Sequence, residues 1–305
     1  MCCLFGIIDC QNSLSGRQKA RMLSTLATEC EARGTDATGI AYVENNRVHI
    51  YKRPLAAHRM RFYIPNHTKI IMGHTRMTTQ GSEEKNCNNH PFPGSAGSKT
   101  FALAHNGVLY NDKILRKNIK LPHTEIETDS FIAVQLIEKK GTLTFDSLKY
   151  MAEKVEGSFA FTVLSQDNEL YFVKGDNPLC IYHFPKSGLY LYASTEEILK
   201  RALKKMPFKW EHPVPVEINC GDILRIDSRG RLESAEFDAS SLWAWYSPAS
   251  HRYRHREFTL LQNEYVDELK SVASAFGFSS DDIDNLIRHG LSPEEIEEFF
   301  YCGEL

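Results

Sequence analysis

The chain has 305 residues, of which 42% are hydrophobic and 25% charged, with a formal charge of −3; this is the make-up of a folded globular protein long enough for one large domain or two ordinary ones. The near-neutral balance excludes a global pull towards nucleic acid or anionic membrane. No stretch approaches the roughly 18 uninterrupted apolar residues of a spanning helix, and the N-terminus lacks the basic region, apolar core and cleavage site of a secretion signal. Cys2, Cys3, Cys10, Cys30, Cys87, Cys180, Cys220 and Cys302 show no paired CxxC spacing, which argues against a structural zinc site and a secreted disulfide framework, so a cytoplasmic location is expected.

From residue 2 to about residue 237, strand-like runs alternate with helical ones, separated by Gly, Asn and Pro. Strands are expected at Leu4–Asp9, Gly39–Lys52 (a hairpin turning at Asn45-Asn46), Lys69–His74, Phe101–His105, Ser158–Leu164, Leu170–Val173, Leu179–His183, Leu189–Ala193 and Ile223–Asp227. Runs such as "TFALAH" and "SFAFTVL" are apolar almost throughout, so both faces of a sheet are expected to be covered. Helices are expected at Arg17–Ala32, Phe131–Lys139, Phe145–Val155 and Glu196–Lys205. Ser194 and Glu197 have capping-box spacing at the start of the last.

The texture changes at 239–258, "ASSLWAWYSPASHRYRHREF", which is assigned as a linker or docking segment. Trp243 and Trp245 are expected to pack back on the core, and the basic-aromatic run 251–256 to be a solvated linker rather than a nucleic-acid patch. From 259 to 305, eleven acidic residues face only Lys270 and Arg288. Within this tail "GFSSDDIDNLI" is echoed by "GLSPEEIEEFF", each with serine and acidic residues suited to a helix N-terminus, and Pro293 at the first helical position of the second copy. The expected organisation is a domain at 1–238, the linker at 239–258 and an acidic helical module at 259–305.

Four segments carry chemistry. "RGTDATGIA" (33–41) turns into a strand. "GHTRMTTQG" (73–81) places Arg76, Thr78 and Thr79 in a loop after a buried strand. "LAHNGVLYN" (103–111) ends a strand in Asn106-Gly107, and "ETDSF" (127–131) puts Asp129 at a helix mouth. Singly these read as a turn, a surface charge and a helix cap. Jointly with Cys2 they supply what amide cleavage by an N-terminal thiol needs. If Met1 is trimmed, the free α-amino group serves as base. An Asn amide beside a glycine N–H gives two donors for the tetrahedral oxyanion. Arg76 suits a substrate carboxylate through a bidentate fork, and Asp129 an ammonium.

On these residues the sequence resembles the class II glutamine amidotransferases, the N-terminal-nucleophile glutaminase domains of glucosamine-6-phosphate synthase and amidophosphoribosyltransferase. Met1-Cys2-Cys3-Leu4 stands where the family begins Met-Cys-Gly-Ile. Arg33-Gly34-Thr35-Asp36-Ala37-Thr38-Gly39, residues 73–81, Asn88-Asn89-His90-Pro91, His105-Asn106-Gly107, Asp129-Ser130 and Gly157-Ser158-Phe159-Ala160 match further family motifs in order, over about three quarters of the chain. The resemblance implies an α+β fold, a four-layer αββα sandwich of the N-terminal-nucleophile hydrolase type, with a small C-terminal helical extension. It implies catalytic roles for Cys2, Asn106 and Gly107, binding of L-glutamine by Arg76, Thr79 and Asp129, and support of the N-terminal loop by Arg33.

Three departures stand out: Cys3 replaces a glycine, Met77 a tryptophan and Gln80 a histidine, which bears on how the glutamine pocket closes. The expected function is hydrolysis of the glutamine side-chain amide through a Cys2 thioester, with ammonia passed to a synthetase-type acceptor in trans. The alternatives are an N-terminal-cysteine amidase acting on acyl amides and an inactive glutamine-binding scaffold. No cofactor, metal, nucleic acid or membrane partner is expected, the spacing of His74, Cys87, His90 and His105 fitting no common metal site.

Overall fold

The structure is a computed structural model that describes residues 2–207, 211–243, 266, 269–271, 273, 277–288, 291 and 296. Its chain divides into two compact units, Met1–Leu242 and Trp243–Leu305.

The first unit is built on two sheets in which all pairings are antiparallel. Sheet A combines β1 (Cys3–Asp9), β2 (Ala37–Glu44), β3 (Arg47–Arg53), β4 (Ile70–Arg76), β9 (Cys180–Phe184), β10 (Leu189–Ala193) and β11 (Val214–Val216), in the order β11-β9-β10-β1-β4-β2-β3. Sheet B combines β5 (Phe92–Ala96), β6 (Lys99–Leu109), β7 (Gly157–Ser165), β8 (Glu169–Lys174), β12 (Asp222–Asp227) and β13 (Leu232–Glu236), in the order β13-β12-β8-β7-β6-β5.

Period-two alternation sorts each strand's side chains onto two faces. Leu4, Ile8, Ile70 and Met72 of sheet A meet Ala102, Ala104, Ala160, Leu164 and Phe172 of sheet B in an inter-sheet core. On its other face sheet A packs Phe5, Ile7 and Ile71 against Met22, Leu23, Leu26 and Ala27 of α1 (Gly16–Cys30) and Leu199 of α5 (Glu196–Lys205). Sheet B packs Leu103, Phe159 and Phe161 against Ile132, Leu136 and Ile137 of α3 (Phe131–Lys140) and Leu148 and Met151 of α4 (Phe145–Lys154). The layers therefore run helix, sheet, sheet, helix, as the resemblance implies. The near-continuous apolar strands follow from this, since both faces of each sheet are covered.

The local sequence explains the element boundaries. Ser15 and Gln18 close a reciprocal capping box on α1, and Thr144 caps α4. The β2–β3 hairpin turns at Asn45-Asn46, both with positive φ, as a two-residue turn requires. At α5 the expected cap is displaced by one residue: Thr195 accepts from the Ile198 N–H, while the Ser194 hydroxyl accepts from the Leu4 N–H at 2.9 Å and ties β1 down.

Two expected loops are strand instead. β4 continues through Arg76, paired with Ala37 of β2. β6 continues through Asn106-Gly107, opposite Ala160 and Phe159, so the Asn-Gly pair is not a turn. The short edge strands β5, β11 and β13, and α2 (Asp112–Ile119), were not expected from the pattern.

In the second unit, α6 (Ser280–Arg288) matches the first copy of the tail repeat. Ser279 and Asp282 bond reciprocally at its start. Leu269, Ala273, Ile283 and Ile296 form a small apolar cluster, and Lys270 pairs with Asp284 at 2.6 Å. The side chains of Trp243 and Trp245, the basic-aromatic run and Pro293 lie outside the described residues. Among the described residues, no helix is long and apolar enough to cross a membrane.

Candidate active site

Even-numbered positions of β1, β4 and β6 face the space between the sheets, so continuing the alternation directs Cys2, His74, Arg76 and Asn106 into one end of that space. Cys2 precedes β1 and neighbours Arg76, because Cys3 pairs with Thr75. Asn106 enters from the opposite sheet. Strand parity thus gathers residues separated by about a hundred positions in the chain.

The Cys2 end is held by the 33–36 turn. Arg33 donates from Nε to the Cys2 carbonyl at 3.0 Å. Gly34 lies so close to the Arg76–Met77 peptide that a Cβ would sit 2.5 Å from the Arg76 carbonyl carbon. Asp36 donates its N–H to the Arg76 carbonyl at 3.0 Å, and its carboxylate accepts the Thr78 N–H at 2.7 Å. The thiol of Cys2 donates to the Met77 carbonyl at 3.5 Å. Burial is the largest influence on this thiol and pushes its pKa up; the nearby Arg76 charge pulls it down and Asp129 adds to the rise.

Asn106 is fully buried, and neither its amide nitrogen nor its amide oxygen has a partner. A buried amide without partners is costly, so this group is poised for a ligand rather than for stability. Gly107 follows at φ +138°, where a Cβ would strike the Ser158 carbonyl oxygen at 1.9 Å. Only glycine fits this conformation and approach.

Asp129 is buried between β6 and α3. Its Oδ2 accepts the Leu109 N–H at 2.6 Å and its Oδ1 accepts the Ser130 hydroxyl at 3.2 Å. Ser130 in turn contacts His105 Nδ1 at 2.8 Å. Burial raises the Asp129 carboxyl pKa, partly countered by these bonds and by Arg76.

Arg76 is buried, and its guanidinium is already engaged. Nη1 donates to Asn89 Oδ1 at 2.7 Å, while Nη2 donates to the carbonyls of Gln80 at 2.6 Å and Gly81 at 3.0 Å. A carboxylate gripped through two parallel N–H bonds has to displace one of those loop carbonyls. Thr79 is partly accessible in that loop, and its side chain makes no hydrogen bond among the described residues. The neighbouring Thr78 hydroxyl is buried without a partner.

His74 and His90 are buried with ring centroids 4.2 Å apart, and His74 Nε2 donates across the sheets to the His105 carbonyl at 2.9 Å. Burial pulls His74 and His105 down to about 3 and His90 well below its usual value. Among the described residues no group of three or more His, Cys, Asp or Glu side chains is arranged to hold a metal ion.

The structure therefore brings Cys2, Arg33, Arg76, Asn106, Gly107 and Asp129 to one end of the sandwich. Asp36, Asn89 and Ser130, which lie within the motifs but had been given no role, organise it. Their signal was adjacency: each sits in the same short segment as, or beside, a residue already singled out.

Residues 74–201 match the family described as the glutamine amidotransferase domain. The glutamine–fructose-6-phosphate aminotransferase (isomerizing) of Sulfurisphaera tokodaii is 28% identical over 253 residues, covering 78% of this chain and 42% of that protein. The enzyme of the same name from Bacillus cereus is 31% identical over 190 residues, covering 59% and 30%. The chain thus spans less than half the length of these relatives. Among solved structures, the glutamine phosphoribosylpyrophosphate amidotransferase of B. subtilis superposes with a TM-score of 0.60 at 22% identity, covering 77% of this chain and 49% of that one.

Proposed function

We propose that this chain, which is similar to the class II glutamine amidotransferases, hydrolyses the side-chain amide of L-glutamine with Cys2 as nucleophile after removal of Met1. The freed α-amino group takes the thiol proton, and the sulfur attacks the carboxamide carbon. The oxyanion receives hydrogen bonds from the Asn106 side-chain amide and the Gly107 N–H. The C–N bond then breaks, the nitrogen leaves as ammonia with the proton returned by the α-ammonium, and a thioester remains. Water attacks the thioester, the same amine accepting its proton, and glutamate is released.

Arg76 binds the substrate α-carboxylate, Asp129 its ammonium, and Thr79 closes the loop side of the pocket. Arg33 holds the Cys2 backbone in place. A zwitterionic substrate explains a buried guanidinium and a buried carboxylate both close enough to influence the Cys2 thiol, which an acyl-amide substrate would leave unused. The single observation carrying this reading is the buried, unpartnered Asn106 amide on the strand opposite Cys2. Ammonia and glutamate release from glutamine, measured alongside the intact mass of the protein, tests it: retention of Met1 in an active enzyme would sink the proposed base.

The recipient of the ammonia is proposed to be a synthetase-type protein acting in trans. Affinity capture with residues 259–305 present, scored by glutamine-dependent amination in the reconstituted pair, tests that assignment. Amination of fructose-6-phosphate is named for the full-length relatives and is one acceptor reaction to assay.

A further inference from the structure

Arg76 is steadied by Asn89, and Asn89 is steadied by a residue from the far edge of sheet A. The Asn89 amide has one available orientation: its Nδ2 donates to the Glu83 carbonyl at 2.7 Å and to Asn86 Oδ1 at 3.3 Å, which leaves Oδ1 to accept from Arg76. The backbone of the same segment is gripped by Lys52 on β3. Its ammonium donates to the Asn89 carbonyl and, at 3.1 Å, to the Pro91 carbonyl. The Lys52 carbonyl accepts from Asn86 Nδ2 at 3.0 Å, so β3 and the 86–91 segment are tied in both directions.

Lys52, like Lys69 and Lys174, bonds to backbone carbonyls rather than to a carboxylate. Among the described residues no carboxylate lies within ion-pair distance of it, whereas Lys85, Lys99 and Lys200 each have one. Its ammonium lies 5.1 Å from the Phe92 ring centroid and the residue lines a cavity of about 620 Å³ with Arg53, Asn86 and Cys87. Burial draws its pKa down to about 8, Cys87 opposing and Arg76 adding to the fall. A largely desolvated cation held by two carbonyls and a ring of one segment, with no carboxylate to offset its charge, is a costly device for an edge strand, and it acts on the segment that carries the partner of Arg76.

We propose that Lys52 is a positioning residue for the substrate α-carboxylate, acting through the Asn89 segment to hold the Arg76 guanidinium in register; this rests on the glutaminase reading above. A merely structural Lys52 would change stability alone.

The test compares the full chain with K52M, N89A and the double variant on L-glutamine and on 4-aminobutanamide, which keeps the amide and amine but lacks the carboxylate. K52M and N89A are each expected to raise KM for glutamine about tenfold with kcat within about twofold. The double variant should be no worse than the poorer single one, since both act on one chain of contacts. The kcat/KM for 4-aminobutanamide should not change. K52Q, which keeps a neutral donor on a shorter stem, should fall between wild type and K52M and stands in for K52M if that variant does not fold. An unchanged KM, a multiplicative double variant, or equal losses on both substrates would overturn the proposal. If the wild-type chain does not hydrolyse glutamine, the parent reading fails instead. The Lys52 proposal is then read from calorimetric glutamine affinity in the C2A background, where loss of the same tenfold supports it and no change overturns it.

Discussion

The two ends of β1 both bury charge or polarity, and they do so to opposite purposes. At its C-terminal end, Asp9 and Lys19 are fully buried 3.2 Å apart. Asp9 also accepts from the Ser13 N–H and hydroxyl and from the Leu14 N–H. Lys19 donates to Asn12 Oδ1 and to the carbonyls of Asn66 and Thr68. At the N-terminal end, Asn106 has no partner for either amide atom, His90 none for either ring nitrogen, and the Thr78 hydroxyl none. The first cluster is closed and ties α1 to the loop before β4. The second is open, and an open buried cluster stores hydrogen-bonding capacity for a ligand at the expense of stability.

That contrast can be broken most decisively at Cys2. C2A should reduce glutamine hydrolysis by at least about 10⁴-fold while leaving the thermal midpoint within a degree or two; residual glutamate release at the wild-type rate would remove Cys2 from the mechanism. Next comes the closed end. K19M strands the Asp9 carboxylate and should cost about 3–5 kcal/mol in urea unfolding, with KM and kcat at a permissive temperature close to wild type. A stable K19M chain with impaired kinetics would invert the comparison.

N106A should show the reverse profile. Removing an oxyanion donor should lower kcat by about 10²–10³-fold, and removing an amide that has no partner should leave the unfolding midpoint unchanged or raised. A large stability loss would mean that Asn106 belongs to the scaffold.

The smallest effect per residue is read in acid. His74 and His105 titrate near 3 when folded because burial disfavours their charged forms, against about 6.5 in the unfolded chain. Between those values the unfolded state binds more protons. The stability that each neutral ring contributes is therefore complete above about pH 6.5 and is lost as pH falls towards 3, at up to about 1.4 kcal/mol per unit per ring. Urea midpoints at pH 7 and pH 5 should separate accordingly, and H74Q should reduce the slope by one ring's share; a flat profile would show that these rings charge without cost.

How much of this was legible in the sequence follows from where each signal resides. Interior strands were visible because burial on both faces leaves an apolar run, whereas β11 (Val214–Val216) and β13 (Leu232–Glu236) are short, largely exposed edges with no such run. Arg76 and Asn106 were identified as functional but expected outside strands, because polar residues at a strand end look like loop until their cross-strand partners are known. The Ser194 hydroxyl was expected to cap a helix and instead serves Leu4, 190 residues away. Lys52 carried no signal at all, since it bonds to backbone carbonyls 37 and 39 residues along, and a carbonyl has no letter in the sequence. The motif residues around Cys2 could be found because their chemistry is in their side chains.

The place of β1 inside sheet A bears on how the proposed nucleophile becomes available. β1 is flanked by β4 on one side and by β10 on the other. A ribosome must therefore deliver the chain through Ala193 before the first strand can be enclosed on both edges. Until then the edge of β1 that β10 covers stays unpaired. If Met1 is removed as proposed, an aminopeptidase acting during synthesis would meet β1 with its β10 edge still unpaired, so sheet topology would order trimming before enclosure.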